Sequence, residues 1–296
     1  MAASKVLGGV AYSCILGYFL ALVYAFSGMN EDWKFFFVSN VLWFLYIPFT
    51  LGLVYFFVRV QLGRWLLEQG AVDEAVGWVE PLQHYNFWLR GKREILIHRL
   101  VYAQAWLRRR DYAKAQEVLW QDEPLAERAP EMLELYVWRG VWALRVENLK
   151  VLKEEIAKGK ELKKPVLWRS ALLAVEAESA LRAGEVEQAK RLLEEASWKD
   201  SHWVVDWIKI LAASSGEYAI LSLDKALLKC SEIKEIIAMC LPGALPEFLC
   251  AYARLLRDAG EVERADEQFK EACELVHQGL GDARSEWVVR QYESKK

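Results

Sequence analysis

Residues 183–196 read AGEVEQAKRLLEEA, and residues 259–272 read AGEVERADEQFKEA. Eight of the fourteen positions are identical. Small and apolar residues recur at three- and four-residue spacing through both, the period of a helix with one buried face. The glycine near each start suits a sharp turn in which φ is positive. Related stretches are EQGAVDEAVGWVEPL at 68–82 and RRDYAKAQEVL at 109–119. The equivalent turn positions are Gly70, Arg110, Gly184 and Gly260, separated by 40, 74 and 76 residues. Those gaps are one, two and two units of roughly 37–40 residues, which marks a helical repeat.

This pattern resembles the tetratricopeptide repeat (TPR) family, whose unit is a helix pair. The residues that carry the likeness are small ones at two places and bulky ones between units. Ala103, Ala177 and Ala253 stand where the family has a small residue on the first helix. Ala75, Ala115, Ala189 and Ala265 stand at the family alanine of the second helix, followed four residues on by Val79, Leu119, Leu193 and Phe269. Ala196 and Ala272 complete the two best units, where Leu82 and Asp122 stand in the others. Alanine permits a close crossing of paired helices, and each pair needs a neighbour to cover its apolar face. Two units depart from the pattern. Residues about 132–162 lack a clean turn, and near residues 203–230 Leu221 stands where alanine is expected. The resemblance implies an all-α fold in which a TPR-like α-solenoid of five or six helix pairs covers 63–280. A C-terminal helix or tail follows at 281–296.

The chain has 296 residues, of which 54% are hydrophobic and 27% charged, with a net charge of −3. Disorder is excluded by that composition, and the near-neutral balance gives no reason to expect nucleic acid. The charge is unevenly spread. No charged residue lies between Lys5 and Glu31 or between Lys34 and Arg59. Each gap exceeds the roughly 20 apolar residues that cross a bilayer as a helix. The sequence therefore predicts a transmembrane helical hairpin over 1–62, with spans at about 6–26 and 35–58. Lys5, Arg59 and Arg64 flank the spans, while the connector carries only Lys34, so both termini are expected in the cytoplasm. An uncleaved anchor is preferred to a signal peptide, because the first apolar run exceeds the usual h-region. Gly9, Ser13, Gly17 and Ala21 form a small-residue packing face on span 1. It would meet span 2 or a helix of another subunit.

Sites of chemistry are not evident. No P-loop, nucleophile elbow, H-E-x-x-H or C-x-x-C occurs among the four His and five Cys. Cys273 and His277 could share a helix face, but two ligands do not make a zinc site. No cofactor, metal or enzymatic activity is expected. The TPR likeness implies a concave groove built from the first helices. Its inward positions would be Ile97, Leu100, Gln104, Leu107 and Arg108, then Ala171, Ala174, Glu178, Leu181 and Arg182. In the last unit they would be Glu247, Cys250, Arg254, Arg257 and Asp258. Of these, Ile97, Leu100, Gln104, Arg108, Glu178, Arg182, Arg254 and Arg257 are the candidate partner-binding residues. Their mixed apolar and arginine character suits a peptide or helix with acidic groups.

The expected protein is an integral membrane protein of a bacterial inner membrane. Bacterial inner-membrane proteins with one or two N-terminal spans followed by TPRs look similar in architecture. The leading reading is a membrane-anchored scaffold that recruits protein partners at the cytoplasmic face for assembly of a membrane or envelope complex. One alternative is a constitutive accessory subunit of a secretion, pilus or respiratory assembly. A remote alternative is an enzyme or small-molecule binder in the groove.

Overall fold

The computed structural model describes residues 51–52, 54–84, 92–121, 131–162, 166–196 and 202–294. All regular structure among them is helical, as expected for an all-α protein. The chain divides into two compact units, Met1–Glu94 and Ile95–Lys296. Span 1, its packing face and most of span 2 lie outside the described residues. Among the described residues no helix is long and apolar enough to cross a membrane.

In the first unit, α1 (54–68) leads through a turn at Gly70 into α2 (Val72–Val79) and a 3-10 turn at Glu80–His84. The second unit carries α3 (Lys92–Arg108, which starts just before it), α4 (Tyr112–Leu119), α5 (Glu131–Arg145) and α6 (Leu149–Glu161). Then come α7 (Val166–Arg182), α8 (Val186–Ala196), α9 (Trp203–Ser214) and α10 (Leu223–Cys240). A short 3-10 turn at Pro242–Ala244 precedes α11 (Leu245–Asp258), α12 (Val262–His277) and α13 (Ala283–Glu293).

One turn chemistry joins the pairs. Gly70, Arg110, Gly184 and Gly260 all have positive φ, and so do Glu147 and Gly216. At the glycines and at Arg110 two amide N–H groups turn back onto the preceding helix, and at Glu147 the Asn148 N–H does so onto Ala143 O. In the unit at Gly184, the Gly184 N–H reaches Leu181 O at 3.0 Å and the Glu185 N–H reaches Ala180 O at 2.9 Å. That is the Schellman arrangement, which satisfies the carbonyls left open at a helix end. Asp111 and Asn148 then cap the following helices through N–H bonds from Lys114 and Val151.

Packing follows side-chain size. Ala103, Ala177 and Ala253 are fully buried, as are Ala115, Ala189 and Ala265. In the pair α5/α6 the residue sizes at these two places are exchanged. Gly140 lies seven residues before its turn residue, where α3/α4, α7/α8 and α11/α12 have alanine, and Leu152 lies five after it. A methyl group on Gly140 would sit 2.9 Å from Val175 and 3.6 Å from Leu152. The pair α9/α10 departs differently. Its second helix starts five residues later than in the other pairs, so Leu221 precedes the helix and Ala226, Cys230 and Ile233 fill the buried places. Beyond each pair, α5 packs on α7, α7 on α9 and α9 on α11, while α13 packs on α11 and α12.

Gly140→Ala should therefore destabilise the protein by about 1–3 kcal/mol, because the added methyl overpacks a filled crossing. Gly77→Ala meets nothing within 4 Å on helix α2. It should be neutral or stabilising by up to about 1 kcal/mol. Thermal denaturation of the two variants beside the parent checks both signs.

Candidate functional site

The dipeptide Leu-Arg recurs at 107–108, 144–145 and 181–182, each time just before a helix-ending turn. The 37-residue spacing puts Arg108, Arg145 and Arg182 at equivalent places on the first helices of three successive pairs. Arg108 and Arg182 were among the expected groove residues. Arg145 was missed, because its unit has Glu147 where a glycine would have set the register. The Leu-Arg spacing itself was the signal that could have found it.

Arg145 is the centre of the site. It is 1% exposed and lies 5.8 Å from the ring of the fully buried Trp207. Asp282 takes two hydrogen bonds from it, from Nε and Nη2 at 2.6 Å each. Arg145 Nη1 donates to Glu247 and Nη2 donates to Ser285 Oγ at 3.1 Å. The acids are themselves held. Asp282 caps α13 by accepting the Ser285 N–H at 2.9 Å, and it accepts the Tyr112 hydroxyl at 2.9 Å. Glu247 also accepts Arg284 Nε at 3.1 Å, and Arg284 reaches out to Glu147 at 3.2 Å. The carbonyl of Gly243 takes Ser285 Oγ at 2.7 Å and the Asp282 N–H at 3.1 Å. Any side chain at Gly243 would collide with the Tyr112 hydroxyl.

The charge states follow. Burial opposes ionisation of Arg145, but Asp282 and Glu247 outweigh it and raise its pKa well above the ordinary value. Burial likewise works against the Glu247 carboxylate, and Arg145 and Arg284 overcome it, so its pKa is lowered. Glu178 goes the other way. Burial raises its pKa, Glu247 adds to that, and Arg182 only partly offsets it. Burial and Asp282 push the Tyr112 phenol up, so it stays a hydrogen-bond donor.

Beside this cluster a cavity of about 380 Å³ opens among α7, α9, α11 and α13. Leu181, Leu211 and Trp287 give it an apolar wall, and Arg182, Arg254 and Arg284 give it guanidinium groups. A neighbouring cavity of about 480 Å³ shares Ser214, Ser215 and Arg254 and adds Arg257 and Tyr292. The guanidinium carbons of Arg254 and Arg257 each lie 5.3 Å from the centroid of the Tyr292 ring. Arg257 is neutralised by Asp266 at 2.6 Å. Among the described residues Arg254 pairs with no carboxylate.

The expected groove residues thus separate. Glu178, Arg182, Arg254 and Arg257 gather around the two cavities, with Glu178 and Arg182 paired at 2.8 Å. Leu100 is buried in packing, and Ile97 is half-buried. Gln104 donates to Glu134 at 3.0 Å, and buried Arg108 lies 3.6 Å from Cys240 Sγ. These four line neither cavity. The described cysteines are free thiols, and burial raises Cys230 and Cys250 to about 12. Among the described residues no cluster of His, Cys, Asp and Glu is placed to hold a metal.

Arg145→Met would leave Asp282 and Glu247 buried without their cation, and should cost about 3–5 kcal/mol. Adding Asp282→Asn to it should cost less than the sum of the single changes, as urea denaturation of the double-mutant cycle would show. A second prediction concerns acid. A lowered carboxylate pKa gives stability that is complete above the ordinary value near 4.5 and lost as pH falls through the folded value. Glu247→Gln should be clearly less stable than the parent at pH 7, and the two melting temperatures should converge below the carboxylate range. No protein-family model matches the chain, and no curated protein matches it.

Proposed function

We propose that this protein is a membrane-anchored, non-enzymatic scaffold whose helix pairs form a TPR-like α-solenoid. The N-terminal hairpin holds the solenoid at the cytoplasmic face of a membrane, where it recruits a protein partner. The observation that carries the reading is the double cavity around Arg254. An apolar wall with Trp287 about half exposed stands beside the Arg254 guanidinium, which pairs with none of the described carboxylates. That combination suits a bulky apolar side chain next to a carboxylate, as an acidic amphipathic segment would present them. Tryptophan and arginine are the residues that most often dominate protein interfaces. The repeated Schellman turns and the packing of α5, α7, α9 and α11 in series support the solenoid. The two charge-free stretches support the anchor. Anchoring raises the effective concentration of a docked partner near other membrane proteins.

The test is crosslinking and purification of the full-length protein in mild detergent, followed by identification of stoichiometric companions. Arg254→Glu and Trp287→Ala should each reduce the companion at least tenfold, the effect of losing roughly 1.4 kcal/mol or more. Equal recovery with both variants would move the binding surface elsewhere. Recovery of the lone protein under several growth conditions would sink the scaffold reading.

A further inference from the structure

In the first unit the described helices α1 and α2 carry exposed apolar side chains. On α1 (54–68), Val54, Phe57, Val58 and Trp65 are all at least half exposed, Phe57 at 61%, and Trp78 of α2 joins them. In the sequence the charge-free run ends at Arg59, which by charge alone is where a span should leave the bilayer. The structure turns that charge inward. Arg59 is 2% exposed; its Nη1 donates to the Tyr55 hydroxyl at 2.6 Å and its Nη2 to Gly77 O at 3.3 Å. Its guanidinium carbon lies 5.4 Å from the Tyr55 ring centroid and 5.0 Å from that of Trp78. Among the described residues it pairs with no carboxylate. Ring faces and a carbonyl therefore act as its counter-charge, a solution suited to a cation beside hydrocarbon.

We infer that α1 stays embedded past Arg59, and that the bilayer surface lies at the level of Arg64 and Trp65. The occupant of the exposed face is the acyl–headgroup boundary of a lipid bilayer. This rests on the membrane-anchored reading above and moves the exit about two helical turns beyond the sequence estimate. The outward residues change in the required order. Val54, Phe57 and Val58 are apolar, Gln61 is neutral and polar, and Arg64, Trp65 and Glu68 follow, all exposed. From Val58 to Trp65 the helix rises about 10 Å, comparable to one headgroup layer. Trp65 and Arg64 are the residue types that settle there. Trp78 covers Arg59 from the side and brings α2 to the same layer.

The experiment places a diazirine amino acid at position 57, 61, 65 or 68 of the full-length protein. The protein is reconstituted in 3:1 phosphatidylcholine–phosphatidylglycerol vesicles, and photoproducts are read by mass spectrometry. Lipid adducts are expected at 57, 61 and 65, with water addition at 68. Trp78→Ala should reduce the adduct at 61 at least twofold, because Arg59 is then uncovered and draws in water. Adducts at 57 alone, in protein that resists alkaline extraction, would overturn the extended embedding and leave the anchor standing. An adduct at 61 unchanged by Trp78→Ala would overturn the role of the ring. Protein released by alkaline extraction would defeat the membrane anchor itself.

Discussion

The buried charge of Arg145 is the constraint on which the second unit depends. A guanidinium without water is tolerable only when its donors are met and its charge is balanced. Here the partners come from far along the chain: Glu247 on α11, and Asp282 and Ser285 at the start of α13, with Tyr112 on α4 donating to Asp282 in turn. Packing between successive helix pairs is a nearest-neighbour matter and would be content with many lengths of array. The arginine network is not, because it needs α13 docked at one place and in one orientation. The bidentate geometry with Asp282 fixes that orientation, and the same carboxylate caps the helix it orients. Gly243 is part of the constraint, since its bare backbone allows Tyr112 and Asp282 to meet.

The turns and the helix faces were legible because they depend on local chemistry. A positive φ favours glycine, and three of the four turn positions read from the sequence are glycine. Arg110 was found by its neighbours, Asp111 and Tyr112, rather than by its own type. Glu147 was not found, because a glutamate in the left-handed region carries no local sign of being there. The same unit hid its packing as well. Gly140 leaves room for Leu152 where two alanines meet elsewhere, so a position-by-position comparison sees two misfits where the pair is matched. In α9/α10 the buried residues Ala226, Cys230 and Ile233 keep their mutual spacing but start five residues late, and a fixed register passes over them.

The candidate site was less legible, for a different reason. A repeat register groups equivalent positions on the first helices, and four residues of that group, Glu178, Arg182, Arg254 and Arg257, line the two neighbouring cavities. It cannot tell which of them remain open, because that depends on what α13 contacts. Arg182 turns to Glu178 and Leu144 O, and Arg108 sinks beside Cys240. No local pattern around 281–285 announces that Asp282 will answer an arginine 137 residues earlier.

The two ends of α13 treat their arginines differently, and that difference locates the proposed binding. At the first end Asp282 gives Arg145 a full negative charge and two acceptors, which closes the site and leaves nothing for a ligand. At the other end Tyr292 gives Arg254 and Arg257 only the face of a ring. A ring attracts a cation but accepts none of the guanidinium N–H groups in the plane where carboxylates bind. Asp266 supplies those acceptors to Arg257 and none of the described carboxylates supplies them to Arg254. One short helix therefore locks the fold with an acid at its start, and near its end it positions a cation whose directional donors are still available to an incoming carboxylate.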